Sequence, residues 1–481
     1  MLQYKCLIFE TNQNLYMKRL LIIIVCLLCI TTSFAQREVL YNVDLAKFAD
    51  SDGDGHGDIK GLRQKLNDLQ YLGITTLVIS PVYESDSDGA AIGELEKINP
   101  KYGNFKEYRD LIQEVHNRKM KLYQTINLQY VNTANLWFKD SFKNIKSVYS
   151  DYVYYTDSKN EKPVNGTEAT VAVNLKNAKV ADYYKKALKY WTDPDGNGVF
   201  YDGADGFVFK AVQDKVDATG KNANLFKEFW EPLSVHLKKI NPGVQIITDA
   251  IETKSFRYSL YTKAGADGVP AQKLQEAITA LDKSKIIIAA DSTFNVLPAG
   301  KYPILELEDA SIGRLASLPK IDAGKLKVLA GLNLLIGGVP SVYYGQELGT
   351  TGYDQYTEAG ASSLAAQQKD KNSLWNYYKE LIKIKAHPAL AVGVYKDIHN
   401  SNNAVVSFLR IQTDAKTGVQ NKVFVMINLS AKEQFVTVDR DKDLSFSKLK
   451  LYSGTPNITF QKGGNSLNMK PYSVQVWTLL P

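Results

Sequence analysis

Cysteine is nearly absent from this chain. Only Cys6, Cys26 and Cys29 occur among 481 residues, all at the extreme N-terminus. A disulfide scaffold and a cysteine-ligated zinc centre are therefore excluded for everything downstream. Long apolar runs are scarce as well. Leu20 to Ile30 is a run of 11 residues, short of the roughly 20 that a spanning helix needs, so no spanning membrane helix is expected. No dense block of one charge exists: 58 Lys and Arg against 51 Asp and Glu leave a net +7, which gives no reason to expect nucleic acid as a partner. Internal repeats and low-complexity linkers are missing too. What is present is 44% apolar and 23% charged residues, the balance of an ordinary globular protein. A chain this long buries a full core without staples, and its length allows two or three domains.

Residues 17–35 read as an address. Lys18 and Arg19 form a basic start, the apolar run follows, and Ser33-Phe34-Ala35 is a small-x-small cleavage site before Gln36. This is the grammar of a secretory signal peptide, so export to the periplasm or the extracellular space is expected. Residues 1–16 precede Met17, which offers an alternative start. Cleavage after Ala35 leaves 446 residues with no cysteine. The leader removes Lys5, Lys18 and Arg19 against Glu10, so the mature net charge is about +5.

Strand and helix patterns then alternate. Ile59, Leu62, Leu66, Leu69 and Leu72 recur at helical spacing up to Gly73. Residues 75–80 (TTLVIS) form a continuous run suited to a buried parallel strand. Asn104 can cap a helix carrying Phe105, Tyr108, Ile112 and Val115. Strand runs follow at 121–127, 206–209, 244–248, 302–307 and 339–344, separated by helical patterns at 178–191, 224–240 and 322–336. With the opening strand at 41–45, seven strands are placed, and an eighth fits either 266–270 or 285–290. Eight βα units predict a (β/α)8 barrel over residues 37–388. After the helix at 374–385 the pattern changes to short alternating runs at 405–409, 422–427, 434–438, 449–452 and 474–480. These predict an all-β sandwich over 389–481.

Two acidic loops look like cation sites. Residues 50–58 (DSDGDGHGD) place Asp50, Asp52, Asp54 and Asp58 at alternating positions, with His56 able to offer its carbonyl. Glycines between them let the chain wrap an ion, and calcium takes six to eight oxygens. The twelfth position is Gly61, so the bidentate glutamate of an EF-hand is missing. The loop is read as a structural calcium site of another kind, joining strand to helix. Residues 193–198 (DPDGNG), with Asp202 nearby, form a looser second case, where a plain turn and a metal site are equal readings.

The acidic loop, Gly61-Leu62 and the run LNDLQYLGITTLVISPVYES resemble the start of an α-amylase-type barrel of glycoside hydrolase family 13. Residues 337–347 (GGVPSVYYGQE) resemble that family's eighth strand, and His387-Pro388-Ala389-Leu390 resembles the approach to its C-terminal β domain. Trp137-Phe138, residues 152–157 and Val173-Asn174-Leu175 resemble a shortened form of its excursion after the third strand, here an insertion at about 131–177. The resemblance implies α-glucan or maltooligosaccharide as the ligand class.

The resemblance also implies catalytic positions, and this chain departs from them one by one. The family places a nucleophilic Asp after the fourth strand, a Glu acid after the fifth and a stabilising Asp after the seventh. The fourth-strand motif G-F-R-x-D reads Gly206-Phe207-Val208-Phe209-Lys210, so Lys210 stands in the nucleophile position. The fifth-strand Gly-Glu reads Thr248-Asp249. The seventh-strand Asn-His-Asp reads Leu307-Glu308-Asp309, and the third-strand motif reads from Gln124 to Gln129 without its Asp, Asn and His. The Gly-Tyr-Asp of the sugar site reads Gly89-Ala90-Ala91. A lysine cannot form the usual glycosyl ester, and its charge opposes an oxocarbenium-like transition state. Lys210 is expected to pair with Asp249 or Asp309 in the barrel mouth. Three functions fit: a catalytically silent scaffold for glucan or a protein partner, a divergent glycosidase using Asp249 and Asp309 or Asp214, and a membrane-tethered ancillary subunit. The first is favoured, and the short apolar run argues against the third.

Overall fold

The computed structural model describes residues 38–85, 92–167, 169–216, 223–250, 258–352, 363–454, 460 and 464–479. The leader at 17–35 and the Gly89-Ala90-Ala91 position lie outside the described residues.

Eight strands close into a parallel barrel: β1 (Leu40–Val43), β2 (Thr76–Ile79), β3 (Lys121–Ile126), β4 (Gly206–Val212), β5 (Gln245–Ala250), β6 (Gly268–Pro270), β7 (Tyr302–Glu306) and β8 (Val339–Tyr343). Each pairs with its neighbours in sequence, and β1 pairs with β8 to close the ring. The eighth unit, left open between two segments, is β6. The alternative at 285–290 lies within the helix Lys283–Val296. Asp282 caps that helix by accepting a hydrogen bond from Lys285 N at 3.0 Å, and Ile288 stands largely exposed. Its apolar run therefore serves one helical face, not a buried strand.

The barrel interior is a plug of side chains contributed by the strands. Leu40, Val78, Tyr123, Val208, Ile247, Tyr302, Ile304 and Val339 pack as one cluster. Two glycines make room for its tyrosines. A Cβ on Gly206 would lie 2.7 Å from the Tyr123 ring, and one on Gly268 would lie 2.6 Å from the Tyr302 ring. Below the plug, Tyr123 donates to the Glu38 carboxylate at 2.6 Å and Tyr302 to Gln245 at 3.0 Å, so each buried hydroxyl is satisfied. The filled barrel is a support, and its chemistry is confined to the C-terminal strand ends.

Helices dress the barrel for local reasons. The helix Ile59–Leu72 begins at the cap Asp58 and ends at Gly73 in the left-handed conformation. The helix Phe105–Asn117 has a full capping box between Asn104 and Glu107. The excursions after β2 and β3 do not stand separately. Tyr83–Ser85, Ile92–Ile98, Tyr130–Asn132, Thr170–Ala172 and Asn165–Thr167 join in one five-stranded sheet beside the barrel mouth.

The C-terminal part holds an antiparallel five-stranded sheet ordered Val394–Asp397, Val405–Thr413, Gln420–Asn428, Val474–Leu479, Leu449–Ser453. A two-stranded sheet, Gln434–Thr437 with Ser466–Met469, covers one face of it through Val436, Met469, Phe424 and Trp477. The other face continues into the barrel's own core through Val406, Phe408, Val423 and Val425. At that seam Lys385 is buried and donates to the carbonyls of Gly338 (3.0 Å) and Leu390 (2.9 Å). Among the described residues, no helix is long and apolar enough to cross a membrane.

Candidate functional site at the barrel mouth

The ladder between β4 and β5 is regular up to Phe209↔Thr248 and resumes at Val212↔Ala250. Lys210 and Ala211 therefore oppose the single residue Asp249, which is a β-bulge. Ala211 carries the strain of it, with φ at +56°. A bulge re-aims the side chain beside it, and here that side chain is Lys210. Its ammonium lies 3.6 Å from Asp249 Oδ2, and each side chain keeps 40% of its surface. Burial works against the lysine's charge, but Asp249, Glu306 and Asp309 outweigh it and push the pKa up to about 12. Lys210 is thus a permanent cation at neutral pH, surrounded by three carboxyl groups.

The structure brings together all three mouth residues named from the sequence: Lys210, Asp249 and Asp309. It adds a fourth that sequence reasoning missed. Glu306, the last residue of β7, accepts a hydrogen bond from Asn42 Nδ2 on β1. Burial raises its carboxyl, Lys210 lowers it, Asp309 and Asp249 raise it, and the net result is about 7. The available signal was strand parity. Ile304 points into the barrel, so Glu306, two residues on, points to the same side at the mouth.

Asp309 is partly engaged by its own turn. Its Oδ1 accepts from Ser311 N at 2.6 Å, Ser311 Oγ at 2.8 Å and Ile312 N at 2.6 Å. Glu308, in the position of the family's histidine, turns away from the cluster. It is buried in an ion pair with Arg314 at 3.2 Å and accepts from Leu315 N at 3.1 Å. Burial pushes its pKa up to about 7 against the pull of Arg314. That guanidinium also lies over the rings of Tyr343 and Tyr344, at 4.5 and 4.6 Å. These two tyrosines thus have a cation on their faces. Asp214 serves the backbone, accepting from Phe226 N at 2.9 Å. Gln124 is buried on β3, where its Oε1 accepts from Tyr108 Oη at 3.0 Å.

The cluster can do three things chemically. It holds a fixed cation, it holds carboxylates around it, and in Glu306 it holds a carboxyl that exchanges a proton near neutrality. At the nucleophile position it offers an ammonium.

At the other candidate site, the carboxylates of Asp50, Asp52 and Asp58 converge, each with an oxygen within 4.8 Å of the others. Asp54 and His56 stand outside that group. Much of the loop is held by its own amides. Asp50 accepts from Asp52 N, Gly53 N and Gly55 N at 2.7–3.1 Å, and the amides of Gly53 and Gly55 hold its carboxyl below the usual range. Asp58 closes the loop on Ser51 N (2.8 Å) and caps the following helix through Gly61 N (2.7 Å). Three converging carboxylates with no nitrogen or sulfur ligand fit a hard divalent cation.

Comparison with known proteins finds similar sequences and folds among carbohydrate enzymes. The family model for the alpha-amylase catalytic domain matches residues 45–372. Alpha-amylase 3 of Dictyoglomus thermophilum is 25% identical, with 91% of this chain and 92% of the relative covered. A probable oligo-1,6-glucosidase 3 of Bacillus subtilis is 23% identical over 77% of this chain and 87% of its own length. Among solved structures, an alpha-amylase from H.orenii superimposes with a TM-score of 0.77 at 21% identity, covering 92% of this chain and 99% of that one. That last likeness is one of fold.

Proposed function

The chain belongs to the alpha-amylase family, and from that premise we propose an exported, catalytically silent member that binds α-glucan or a protein partner. The observation that carries the proposal is the ammonium of Lys210, 3.6 Å from Asp249, where the family places its nucleophile. Retaining glycoside hydrolysis needs two carboxyls about 5–5.5 Å apart, one attacking the anomeric carbon while the other donates a proton. With lysine in the first role no glycosyl ester forms, and the cation opposes the charge of the transition state. The altered positions at Asp249, Glu308 and Gln124 extend the loss to the acid's position and to further positions of the family's site. The fold keeps the family's ligand class, maltooligosaccharides, as the first ligand to test. Calorimetry with these sugars separates glucan binding from a purely protein-facing role. Heat of binding supports the first, and a flat titration supports the second.

A divergent glycosidase or transglycosidase is the second reading, favoured by Glu306. A carboxyl that titrates near 7 can give up a proton at neutral pH. With Asp249 or Asp309 as base it could activate a water. Hydrolysis of starch, pullulan or small α-glucosides that disappears in Asp249→Asn would decide for this reading.

Export rests on the signal-peptide grammar of residues 17–35. A mature chain in the periplasm or medium that begins at Gln36 is the expected product. Calcium at the first acidic loop is part of the same proposal. Asp50, Asp52 and Asp58 would hold it. It would fasten the link between β1 and the helix Ile59–Leu72 and take no part in bond breaking.

A further inference from the structure

The second acidic loop differs from the first in one physical respect. Asp193, Asp195 and Asp202 also bring one carboxylate oxygen each within 4.8 Å of one another. Here, however, three of the four oxygens of the two buried carboxylates lack a hydrogen bond. Asp202 is 5% exposed and Asp193 7%. Neither oxygen of Asp202 accepts a hydrogen bond, and Asp193 Oδ1 has none either. Asp193 Oδ2 takes Gly198 N at 3.1 Å, and Asp195 takes Asn197 N at 3.1 Å and Asn197 Nδ2 at 2.8 Å. Arg109 faces the group, its Nη2 3.5 Å from Asp202 Oδ2, and His116 also lies within electrostatic reach of Asp202.

Two of the three carboxylates, Asp193 and Asp202, are buried, and the third, Asp195, is exposed. Burying carboxylate oxygens without a partner is costly. We propose that Asp193, Asp195 and Asp202 form a second cation site, specific for calcium, that fastens the helix Ala178–Thr192 to β4. The donor set is all oxygen, which selects a hard cation and disfavours zinc or copper. Calcium is preferred over magnesium because two carboxylates come from one short loop and the third from its far end. Such a spread suits flexible coordination better than a strict octahedron. The connection is already close-packed. Ala204 N reaches Trp191 O at 2.8 Å, and a Cβ on Gly203 would lie 2.0 Å from Thr192 O. An ion at the carboxylates would lock the chain just before it enters the strand that carries Lys210. The site is independent of whether the mouth is active.

The test is titration of the full mature chain, stripped with EDTA, with calcium chloride in a calorimeter, beside a melting curve at each calcium level. Wild type is expected to show a calcium event that Asp50→Asn retains. Asp202→Asn and Asp195→Ala are expected to weaken that event at least roughly tenfold, since even partners outside the ligand shell matter at that level. Melting temperature should rise by several degrees with calcium in wild type and Asp50→Asn, and by less in the other two. Asp195 is exposed, so Asp195→Ala decides the matter if Asp202→Asn does not fold. Unchanged calcium affinity and stoichiometry in a folded Asp195→Ala and Asp202→Asn would overturn the site. Equal affinity for magnesium chloride would overturn its assignment to calcium.

Discussion

Lys210 and Glu306 set the chemistry of the mouth at the scale of single residues. Restoring the family's residue with Lys210→Asp should not bring back hydrolysis, because Asp249, Glu308 and Gln124 stay altered around it. A rate above the buffer blank in that variant would show that the lysine alone silences the site. Lys210→Met removes the cation from a cluster of three carboxyls. The pair with Asp249 is 40% exposed at each end, so solvent screens it and the expected loss is about 1 kcal/mol. Denaturant unfolding measures it. Glu306 gives a pH signature. Its pKa is raised from 4.5 to about 7 in the folded chain, so the folded state holds its proton more tightly than the unfolded one. That contribution to stability is complete below pH 4.5 and is lost as pH rises through 7. Glu306→Gln stays neutral, so its stability should vary less between those pH values and exceed wild type at pH 8. An unchanged pH profile of melting temperature would contradict this placement of Glu306.

Elements show how much was legible before the structure. Strands β2, β4, β5, β7 and β8 were marked by β-branched or apolar runs, since strands buried on both faces carry little polar alternation, while β1 was marked by the alternation at 41–45 and β3 by the run at 121–127. β6 has only three residues, Gly268–Pro270, too few for periodicity to speak, which is why a helical run at 285–290 competed with it. Two C-terminal strands, Val394–Asp397 and Ser466–Met469, were not marked either. The positions of Lys210, Asp249 and Asp309 were legible through the family motif. Glu306 was not, because the motif does not mark it and only strand parity does. Glu308 was legible as a changed residue, but its pairing with Arg314 depends on a turn that brings back a side chain six residues away. The bulge at Lys210 and Ala211 was invisible, since alanine gives no sign of a positive φ. Ala211→Gly should relieve that φ of +56° and stabilise the fold by up to about 1 kcal/mol. A lower melting temperature in that variant would argue against strain at the bulge.

The whole molecule is an alpha-amylase-family scaffold, and the proposed loss of activity concerns its mouth alone. Most of the buried core lies in one large cluster that includes the layer between the barrel strands and their helices, with smaller clusters in the barrel plug and between the C-terminal sheets. None of these elements depends on the catalytic residues. A fold can therefore persist while its chemistry is replaced, and membership of the family does not by itself settle activity. Both acidic loops sit at connections between a strand and a helix, so cation removal should act on stability and not on the mouth. EDTA should lower the melting temperature of the mature chain, and calcium should restore it. Identical melting curves with and without chelator would count against both loops as cation sites.

The most direct test of the central claim is a turnover measurement. Purified mature protein is incubated with starch, pullulan and maltooligosaccharides, and reducing ends are counted against a buffer blank. The account predicts no turnover above the blank in wild type, in Asp249→Asn or in Lys210→Asp. Steady release of sugar by wild type that vanishes in Asp249→Asn would contradict it.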